Sequence, residues 1–469
     1  MKKYLLLLLI ILPFTQYTIQ AQSKKNYSIK LKVNGLKDST CYLAHFYLSP
    51  KSQIIKDTTV CDANGNIEFK GDTELPKGIY IISVGTSKSI QLIIGNDSEI
   101  EMETDTTYDH SKLRVIRSEE NKVFYDYQNT MAEKNKEFQN LNTIQKKQPD
   151  IKVTEMIKAL QEGVMKYQKD FFEKNKNSIA AKLLKAPQQP NIPEAPKLQN
   201  GGIDSTFSLR WIQNHYFDNM DLSDEMFIKT PYLEGKIDYY LDNLTYQIPD
   251  SLSKAADFIM KKAQNTRNMQ RYFSSHIASR YERPNFMGGD AVFVHMAEKY
   301  FLGMPSLWDS ATLAPINEKK IAVKNVLLGQ KIQNAQLVDT TGNQLITLYD
   351  LNAKYTLMFL YDPECSHCKE RAPKILSFYE KMKSKGLKVF AASTVNDLDK
   401  MKTFIKTMKT AQFINVYDKF SITDFRSKYN VYTTPQVILL DKDKKIIGRG
   451  LEEDQMEDLI NKMERMTNK

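Results

Sequence analysis

Two cysteines separated by two residues, Cys365 and Cys368, constrain the fold of this chain more than any other feature. An apolar run at residues 356–361 precedes them, and a segment of helical character at 369–376 follows. This order predicts a strand, then a CxxC dithiol, then a helix. Because unpaired N–H groups and the positive dipole end stabilise a thiolate at a helix start, we expect Cys365 to be a nucleophile near neutral pH.

The same two thiols could instead be half of a zinc site. Zinc in structural sites usually has four ligands, and only His367 lies close to the motif in the sequence. The remaining cysteines, Cys41 and Cys61, lie far upstream. We therefore predict no metal at this motif, and the chemistry of a reversible dithiol requires no organic cofactor.

Features downstream of the motif add to this interpretation. Pro373 lies inside the predicted helix, five residues after the second cysteine. Thr434 and Pro435 precede an apolar strand at 436–440, and residues 441–444 have the composition of a hairpin turn. The segment therefore combines a dithiol, a helix proline, a Thr-Pro dipeptide and a hairpin.

In combination, these residues resemble the TlpA/ResA-like branch of the thioredoxin family, over roughly residues 326–469. The resemblance implies a C-terminal α/β thioredoxin-like fold and a thiol-disulfide oxidoreductase that acts on protein thiols and disulfides, as a reductase or isomerase. It also implies a cis peptide bond before Pro435 that faces the dithiol, with Thr434 and Pro435 binding an extended substrate chain. A further implication is a membrane protein that supplies electrons.

The chain departs from thioredoxin itself on the strand before the motif. Thioredoxins carry a buried acid there, and Phe359 stands at that position. A proton acceptor for Cys368 therefore cannot be carried over from the family. Asp362 and Glu364 are local candidates, and the alternative is that both are solvated loop acids.

The order of the two cysteines predicts their roles. Cys365 would attack a substrate disulfide and form a mixed disulfide, which Cys368 would then resolve. An imidazolium at His367 would stabilise the Cys365 thiolate, unless that ring is a solvent-exposed bystander. Peroxidase activity is disfavoured because a peroxiredoxin needs a threonine three residues before its reactive cysteine, where Asp362 stands.

The first residues carry the pattern of a secretory signal peptide. Lys2 and Lys3 precede an apolar run at 5–12, and cleavage is expected after Ala21. The apolar run is too short to span a bilayer, and an uncleaved anchor is the alternative. We therefore expect residues 1–21 to be removed and the protein to lie in the periplasm or cell envelope, where disulfides are permitted.

Length and composition indicate several globular domains. Of the 469 residues, 41% are hydrophobic, which is enough to build cores. The net charge of +10 comes from 66 basic residues interspersed with 56 acidic ones, a pattern typical of a solvated surface. The sequence carries no aromatic-basic motif for nucleic acid, so we predict protein partners and no nucleic acid.

Two modules are expected ahead of residues 326–469. Short apolar runs separated by Asn-Gly turns predict an antiparallel β sandwich over residues 22–115. Aromatic and aliphatic stripes at helical spacing predict an all-α domain over 116–325, in which the stripes form either a core or a peptide-binding groove. The arrangement resembles multidomain envelope oxidoreductases of Bacteroidota. The alternative function is an envelope binding or scaffold protein that recruits a partner through residues 22–325, with a secondary redox site.

Cys41 and Cys61 lie within the predicted β module. With a turn at 49–52, each lies ten residues from Lys51, so a symmetric hairpin would place them nearly opposite each other. Directly paired Cα atoms lie about 4.5–5.5 Å apart, within the range that a disulfide accepts. We therefore predict a structural disulfide, with two buried free thiols as the alternative.

Overall fold

The computed structural model describes residues 27–84, 88–199 and 201–467, so the predicted signal peptide lies outside the described residues. Within these ranges no helix is both long and apolar enough to cross a membrane. The β-strands are β1 (Tyr27–Asn34), β2 (Thr40–Tyr47), β3 (Ser49–Val60), β4 (Asn66–Gly71), β5 (Gly78–Val84), β6 (Lys88–Ile94), β7 (Glu99–Asp105), β8 (Arg114–Arg117), β9 (Gln336–Asp339), β10 (Leu345–Thr347), β11 (Tyr355–Tyr361), β12 (Leu387–Ser393), β13 (Ile414–Tyr417), β14 (Gln436–Leu440) and β15 (Ile446–Arg449).

The α-helices are α1 (Glu119–Lys147), α2 (Ile151–Lys174), α3 (Ile179–Lys185), α4 (Phe207–His215), α5 (Leu233–Asn243), α6 (Pro249–Lys262), α7 (Arg267–Glu282), α8 (Asp290–Met296), α9 (Ser310–Lys324), α10 (Ser366–Met382), α11 (Leu398–Met408), α12 (Phe425–Tyr429) and α13 (Glu453–Thr467). Short 3₁₀-helices lie at His110–Lys112, Glu225–Lys229, Pro305–Leu307, Leu348–Asp350 and Lys383–Lys385, and a π-helix lies at Ala297–Leu302. The predicted order of a β-rich region, a helical region and an α/β region is confirmed.

Within the described residues, the β-rich region forms two sheets, with the strand orders β4-β1-β7-β8 and β3-β2-β5-β6. Alternate residues of β1, β4 and β7 are buried, as expected of strands with one face on a core. The predicted β-rich module is confirmed, and the pairing differs from the expected antiparallel arrangement at β1 and β7, which pair in parallel. A parallel pair needs a long connection, and the chain between β1 and β7 forms strands β2 to β6.

The hairpin of β2 and β3 turns earlier than its sequence indicates. Leu48, with a φ of 68°, stands alone between the two strands, whereas the predicted turn at 49–52 lies within β3. Two register irregularities follow, and Cys41 stands opposite Thr59. Cys61 therefore lies two residues beyond the residue directly paired with Cys41.

Cys41 and Cys61 nevertheless lie close together as buried free thiols. The Cys61 sulfur accepts a hydrogen bond from the Ser39 backbone N–H at 3.2 Å. Burial, followed by the nearby Cys61 sulfur, raises the pKa of Cys41 to about 11. A disulfide between the two stays a prediction.

Helices α1 and α2 pack against each other as a hairpin. Tyr127 of α1 packs against Phe171 and Phe172 of α2, with ring centroids 4.8 and 5.5 Å apart. The Gln168 side chain donates to the Tyr127 hydroxyl at 2.9 Å. At this end of the hairpin the aromatic stripe is therefore core.

The buried carboxylate of Glu120 joins the start of α1 to the start of α3. It accepts hydrogen bonds from the Ser178 hydroxyl at 2.6 Å and from the backbone N–H groups of Ile179 and Ala180 at 3.1 and 2.9 Å. The first N–H groups of a helix lack partners within the helix. Glu120 supplies those partners from a distant part of the chain and thereby orients α3 against α1.

The chain divides into two compact units. One contains the residues up to Gln189 together with Met226–Glu234, and the other contains Pro190–Glu225 and Gly235–Lys469. The hairpin of α1 and α2 thus groups with the β-rich region, whereas most later helices group with the α/β region. The boundaries predicted for the modules at 22–115, 116–325 and 326–469 stay a prediction.

The α/β region is built on a mixed sheet with the strand order β10-β9-β13-β12-β11-β14-β15. Every residue of β11 is buried, which is characteristic of a central strand covered on both faces. It pairs in parallel with β12 and antiparallel with β14. Apolar side chains fill both faces of the sheet, with Phe359 and Ile375 in one core and Leu360 and Phe390 in the other. The central strand therefore holds the segment that follows it in a fixed position.

Candidate active site

The CxxC motif lies where β11 ends and α10 begins. Asp362–Glu364 connect the two elements, and the Cys365 N–H donates to the Asp362 carbonyl at 3.2 Å. Cys365 has extended backbone angles and caps α10, whose first helical residue is Ser366. The Cys365 carbonyl then accepts from the Lys369 N–H at 3.2 Å. The predicted order of strand, dithiol and helix is confirmed, as is the position of Pro373 inside α10.

The Thr434-Pro435 segment lies directly beside the dithiol. The peptide bond between these residues is cis, as predicted. Because β14 starts right after it and pairs with β11, this segment is held at the same edge of the sheet as the motif. The Cys365 thiol donates to the Thr434 carbonyl oxygen at 3.4 Å.

The two thiols occupy different environments. Cys365 is partly exposed, whereas Cys368 is completely buried. Burial raises the pKa of Cys368 to about 12, although a hydrogen bond with the Thr434 side chain opposes the increase. Cys368 therefore stays protonated near neutral pH in the reduced protein.

The pKa of Cys365 shifts in the opposite direction. Its limited burial acts to raise the value, but hydrogen bonds from the backbone and side chain of Cys368 outweigh that effect. The Thr434 side chain and the His367 backbone contribute further hydrogen bonds, and the net pKa lies below the usual cysteine value. Hydrogen bonds that favour the charged form lower the pKa of an acid. Cys365 is thus the thiol that ionises first.

His367 contributes to the site through its backbone. Its side chain is 78% exposed, and Nδ1 lies 3.6 Å from Glu370 on the next turn of α10. The hydrogen bond that helps to lower the pKa of Cys365 comes from the His367 backbone. The predicted imidazolium effect stays a prediction.

The two loop acids have partners of their own. The Asp362 carboxylate accepts from the Glu364 N–H at 2.8 Å, and the exposed Glu364 carboxylate accepts from Lys400 at 2.6 Å. Phe359, at the position of the thioredoxin acid, is fully buried in the apolar core. This geometry favours the interpretation of both loop acids as solvated groups.

One residue of the site was missed in the sequence. Tyr361, the last residue of β11, is fully buried, and its hydroxyl has no hydrogen-bond partner among the described residues. Burial raises its pKa, and the nearby Cys368 sulfur adds to the increase. Because Tyr361 continues an apolar strand, its sequence context indicates only core packing. The structure places Tyr361 in the same core cluster as Cys368.

Histidine, cysteine and acidic side chains in the described ranges form no cluster of three or more that could hold a metal ion. The reactive groups of the site are its two thiols. A partly exposed thiol of lowered pKa lies beside a backbone carbonyl, with a second, protonated thiol behind it. Such a pair can exchange with a disulfide and then close on itself.

Three family models match successive parts of the chain. Residues 327–465 match the Redoxin family. Residues 139–328 and 27–124 match DUF5106 and DUF4369, each described as a domain of unknown function. The matched Redoxin segment contains the whole CxxC and cis-proline site.

Similar proteins include the thiol-disulfide oxidoreductase ResA of Bacillus cereus. It is 27% identical over 146 residues, which cover 30% of this chain and 79% of that protein. A domain of a possible thiol-disulfide isomerase from Cytophaga hutchinsonii is 35% identical, with a TM-score of 0.29, covering 30% of this chain and 97% of that one. A thioredoxin-like protein from Bacteroides caccae is 19% identical, with a TM-score of 0.49, covering 58% of this chain and 98% of that one.

Proposed function

Since residues 327–465 belong to the TlpA/ResA-like branch of the thioredoxin family, whose members are thiol-disulfide oxidoreductases, we propose that this chain exchanges disulfides with proteins in the cell envelope. Cys365 is the attacking thiol and Cys368 is the resolving thiol. The net reaction is reduction or isomerisation of a client disulfide. No organic cofactor or metal takes part.

The reaction runs in two exchanges. The Cys365 thiolate attacks one sulfur of the client disulfide, the client S–S bond breaks, and the other client sulfur leaves as a thiolate. Cys368 then loses its proton and attacks the Cys365 sulfur, which releases the first client sulfur as a thiol. The client gains two electrons, and the protein is left with a Cys365–Cys368 disulfide. A thiol donor, proposed to be a membrane protein that carries electrons, reduces it again.

A single observation carries this proposal: within one CxxC motif, Cys365 is partly exposed and lies against the Thr434 carbonyl, whereas Cys368 is completely buried. The partly exposed Cys365 is the thiol that ionises and attacks, whereas the buried Cys368 stays protonated and unreactive until a mixed disulfide forms. The Thr434 carbonyl contacts the Cys365 thiol, and Thr434 and Pro435 are proposed to bind the client backbone. A location in the periplasm follows from the signal peptide proposed for residues 1–21.

The catalysed reduction of insulin disulfides by dithiothreitol tests the proposal. We expect the full chain to accelerate it, and Cys365→Ser to abolish the acceleration. Cys41→Ala serves as the matched control, because that cysteine lies outside the site, and we expect it to retain activity once circular dichroism shows that it is folded. A wild-type chain that does not accelerate reduction would overturn the proposal.

A second candidate function is that of a binding or scaffold protein that recruits a partner through residues 22–325. The observation that favours it is an apolar groove of about 410 Å³ between α1 and α2, lined by residues such as Phe138 and Met165. Under this alternative, a Cys365→Ser chain would complement a strain that lacks the gene as well as the wild-type chain does. Under the redox proposal it would not.

A further inference from the structure

An open cavity of about 580 Å³ lies next to the cis-proline segment, within the second compact unit. This size falls within the range of about 300–1,000 Å³ that is typical of ligand sites. The loop at 282–288 and the end of α9 line one side, and residues of the α/β region from Asn430 to Gln455 line the other. The helical region therefore extends the surface around the dithiol beyond the α/β region itself.

Specific contacts hold the two sides of the cavity together. Arg449 of β15 donates to the Asp290 carboxylate at 2.6 Å and to the Val326 carbonyl at 3.1 Å. The Asn325 side chain donates to the Ser427 carbonyl at 3.0 Å. Because the charges of Arg449 and Asp290 neutralise each other, this pair joins the two sides of the cavity without adding to its net charge. The net charge of the cavity depends on other residues.

The cavity begins one residue away from Thr434, the residue that the Cys365 sulfur contacts. Thr433 and Gln436 line it, and they flank Thr434 and Pro435. Adjacent Cα atoms lie about 3.8 Å apart, so a chain that lies along Thr434 reaches the cavity within one or two residues. The Thr434 carbonyl is also the group that accepts from the Cys365 thiol. A client bound at the dithiol must therefore pass into or alongside this cavity.

The charged side chains in and around the cavity favour an anion. Lys319 is half-buried, with its nitrogen 3.8 Å from the ring centroid of Tyr432 and 3.7 Å from Glu282. Arg426 lies 4.4 Å from the same ring centroid, and Arg283 is an exposed lining residue beside Lys319. Lys319 and Arg426 thus flank Tyr432, with Glu282 beside Lys319 and with Glu318 and Asp424 near Arg426. The exposed Arg283 is the lining cation that makes no salt bridge among the described residues.

A second observation points to a polypeptide. Asn430 lines the cavity, and its buried side-chain oxygen has no hydrogen-bond partner among the described residues. A buried acceptor without a partner costs about 1–3 kcal/mol, so such a group is usually matched by a donor. If the Asn430 side chain turns into the cavity, the backbone N–H of an extended client chain is a donor of that kind, whereas a simple anion is not.

We propose that this cavity binds the client polypeptide beside its reacting cysteine and selects clients that carry an acidic side chain there. The inference rests on the function proposed above and adds the substrate class of the same site. Lys319 and Arg283 are its specificity-determining residues. They contact the client and not the reacting sulfurs, so the chemistry itself does not depend on them.

Peptide binding to the full chain with Cys365→Ser and Cys368→Ser tests this without any redox step. In each fluorescent peptide, serine would replace the reacting cysteine. Either Glu or Gln would then be placed, in turn, at each of the three positions on either side of that serine. Exposed ion pairs contribute about 0.2–1 kcal/mol, so we expect Glu to be preferred about two- to fivefold at one or more positions. Lys319→Met and Arg283→Gln should each reduce this preference, and the double variant should remove it.

Lys320→Met is the matched control, because it removes a neighbouring charge of the same helix that does not line the cavity. The inference is overturned if no acidic peptide binds, if no position prefers Glu, or if Lys320→Met removes the preference equally. Reduction of the small neutral disulfide bis(2-hydroxyethyl) disulfide separates the two proposals. A wild-type chain that reduces it but shows no Glu preference contradicts the inference alone, whereas a chain that cannot reduce it contradicts the proposed function.

Discussion

The Cys365 thiol donates a hydrogen bond to the Thr434 carbonyl oxygen over 3.4 Å, across 69 positions of sequence. The contact forms because β11 and β14 are neighbours in the sheet, so the segments next to these strands meet at one edge. It places the attacking sulfur against the backbone on which a client chain is proposed to lie. Chemistry and recognition therefore share one residue, and changes at Thr434 should affect both.

Alkylation of the reduced protein should distinguish the two thiols by pH. The pKa of Cys365 is lowered, so its rate of reaction with iodoacetamide should reach a plateau at a lower pH than that of a free cysteine, whose pKa is about 8.5. The pKa of Cys368 is raised to about 12, so that thiol should stay unmodified throughout. Peptide mass spectrometry after timed alkylation measures both. Faster modification of Cys368 would reverse the proposed roles.

Thr434→Val should slow attack by Cys365. The substitution keeps the shape of the side chain but removes the hydroxyl, whose hydrogen bonds act to lower the pKa of both thiols. One hydrogen bond contributes about 0.5–1.5 kcal/mol, so we expect a two- to tenfold lower alkylation rate at neutral pH. Thr433→Val is the control, because the Thr433 side chain is exposed. Equal effects of the two variants would contradict a role for the Thr434 hydroxyl.

Tyr361→Phe should stabilise the fold and slow the second exchange. The buried Tyr361 hydroxyl has no partner within the described ranges, so its removal should raise the free energy of unfolding by about 1 kcal/mol. Tyr361 lies in the same core cluster as Cys368, and we expect its hydroxyl to turn toward that sulfur and donate to it when the thiol ionises to attack the mixed disulfide. We therefore expect resolution to slow about tenfold, since hydrogen bonds to charged groups are stronger.

Urea unfolding and rapid-quench measurement of the mixed disulfide check the two effects of Tyr361→Phe separately. A variant that is more stable but resolves at the wild-type rate would remove the hydroxyl from the mechanism. A variant that is less stable would instead indicate that the hydroxyl has a structural partner.

Glu120→Ala should destabilise the first compact unit. The buried carboxylate would no longer accept from Ser178, Ile179 and Ala180, and the start of α3 would lose its partners. We expect a loss of about 2–4 kcal/mol in the free energy of unfolding. The exposed neighbour Glu119 provides the control, and Glu119→Ala should change stability by less than about 0.5 kcal/mol. Denaturant titration followed by circular dichroism measures both.

The site could be predicted from the sequence because its elements are local patterns. The CxxC motif, the strand before it and the Thr-Pro dipeptide each occupy a few consecutive residues, and strand pairing then brings them together. Tyr361 was missed for the opposite reason. Its position within an apolar strand predicts burial, and only the structure places it in the same core cluster as Cys368.

The features that the sequence did not predict correctly depend on contacts between distant residues or on an unusual backbone conformation. The hairpin of β2 and β3 turns at Leu48, a residue type that rarely adopts a positive φ, so composition favoured the Ser-Pro segment after it. Parallel pairing of β1 with β7 joins strands about 70 residues apart, which turn signals cannot report. The cavity likewise combines residues 282–288 with residues near Asn430 and Arg449.

Trapping of the mixed disulfide tests the central claim most directly. In Cys368→Ser the second exchange cannot occur, so incubation with an oxidised protein client should leave the client covalently attached. Peptide mapping of that adduct under non-reducing conditions should place the bond at Cys365, and dithiothreitol should release it. An adduct at Cys41 or Cys61, or none while the wild-type chain reduces the same client, would contradict the assignment of Cys365 as the attacking thiol.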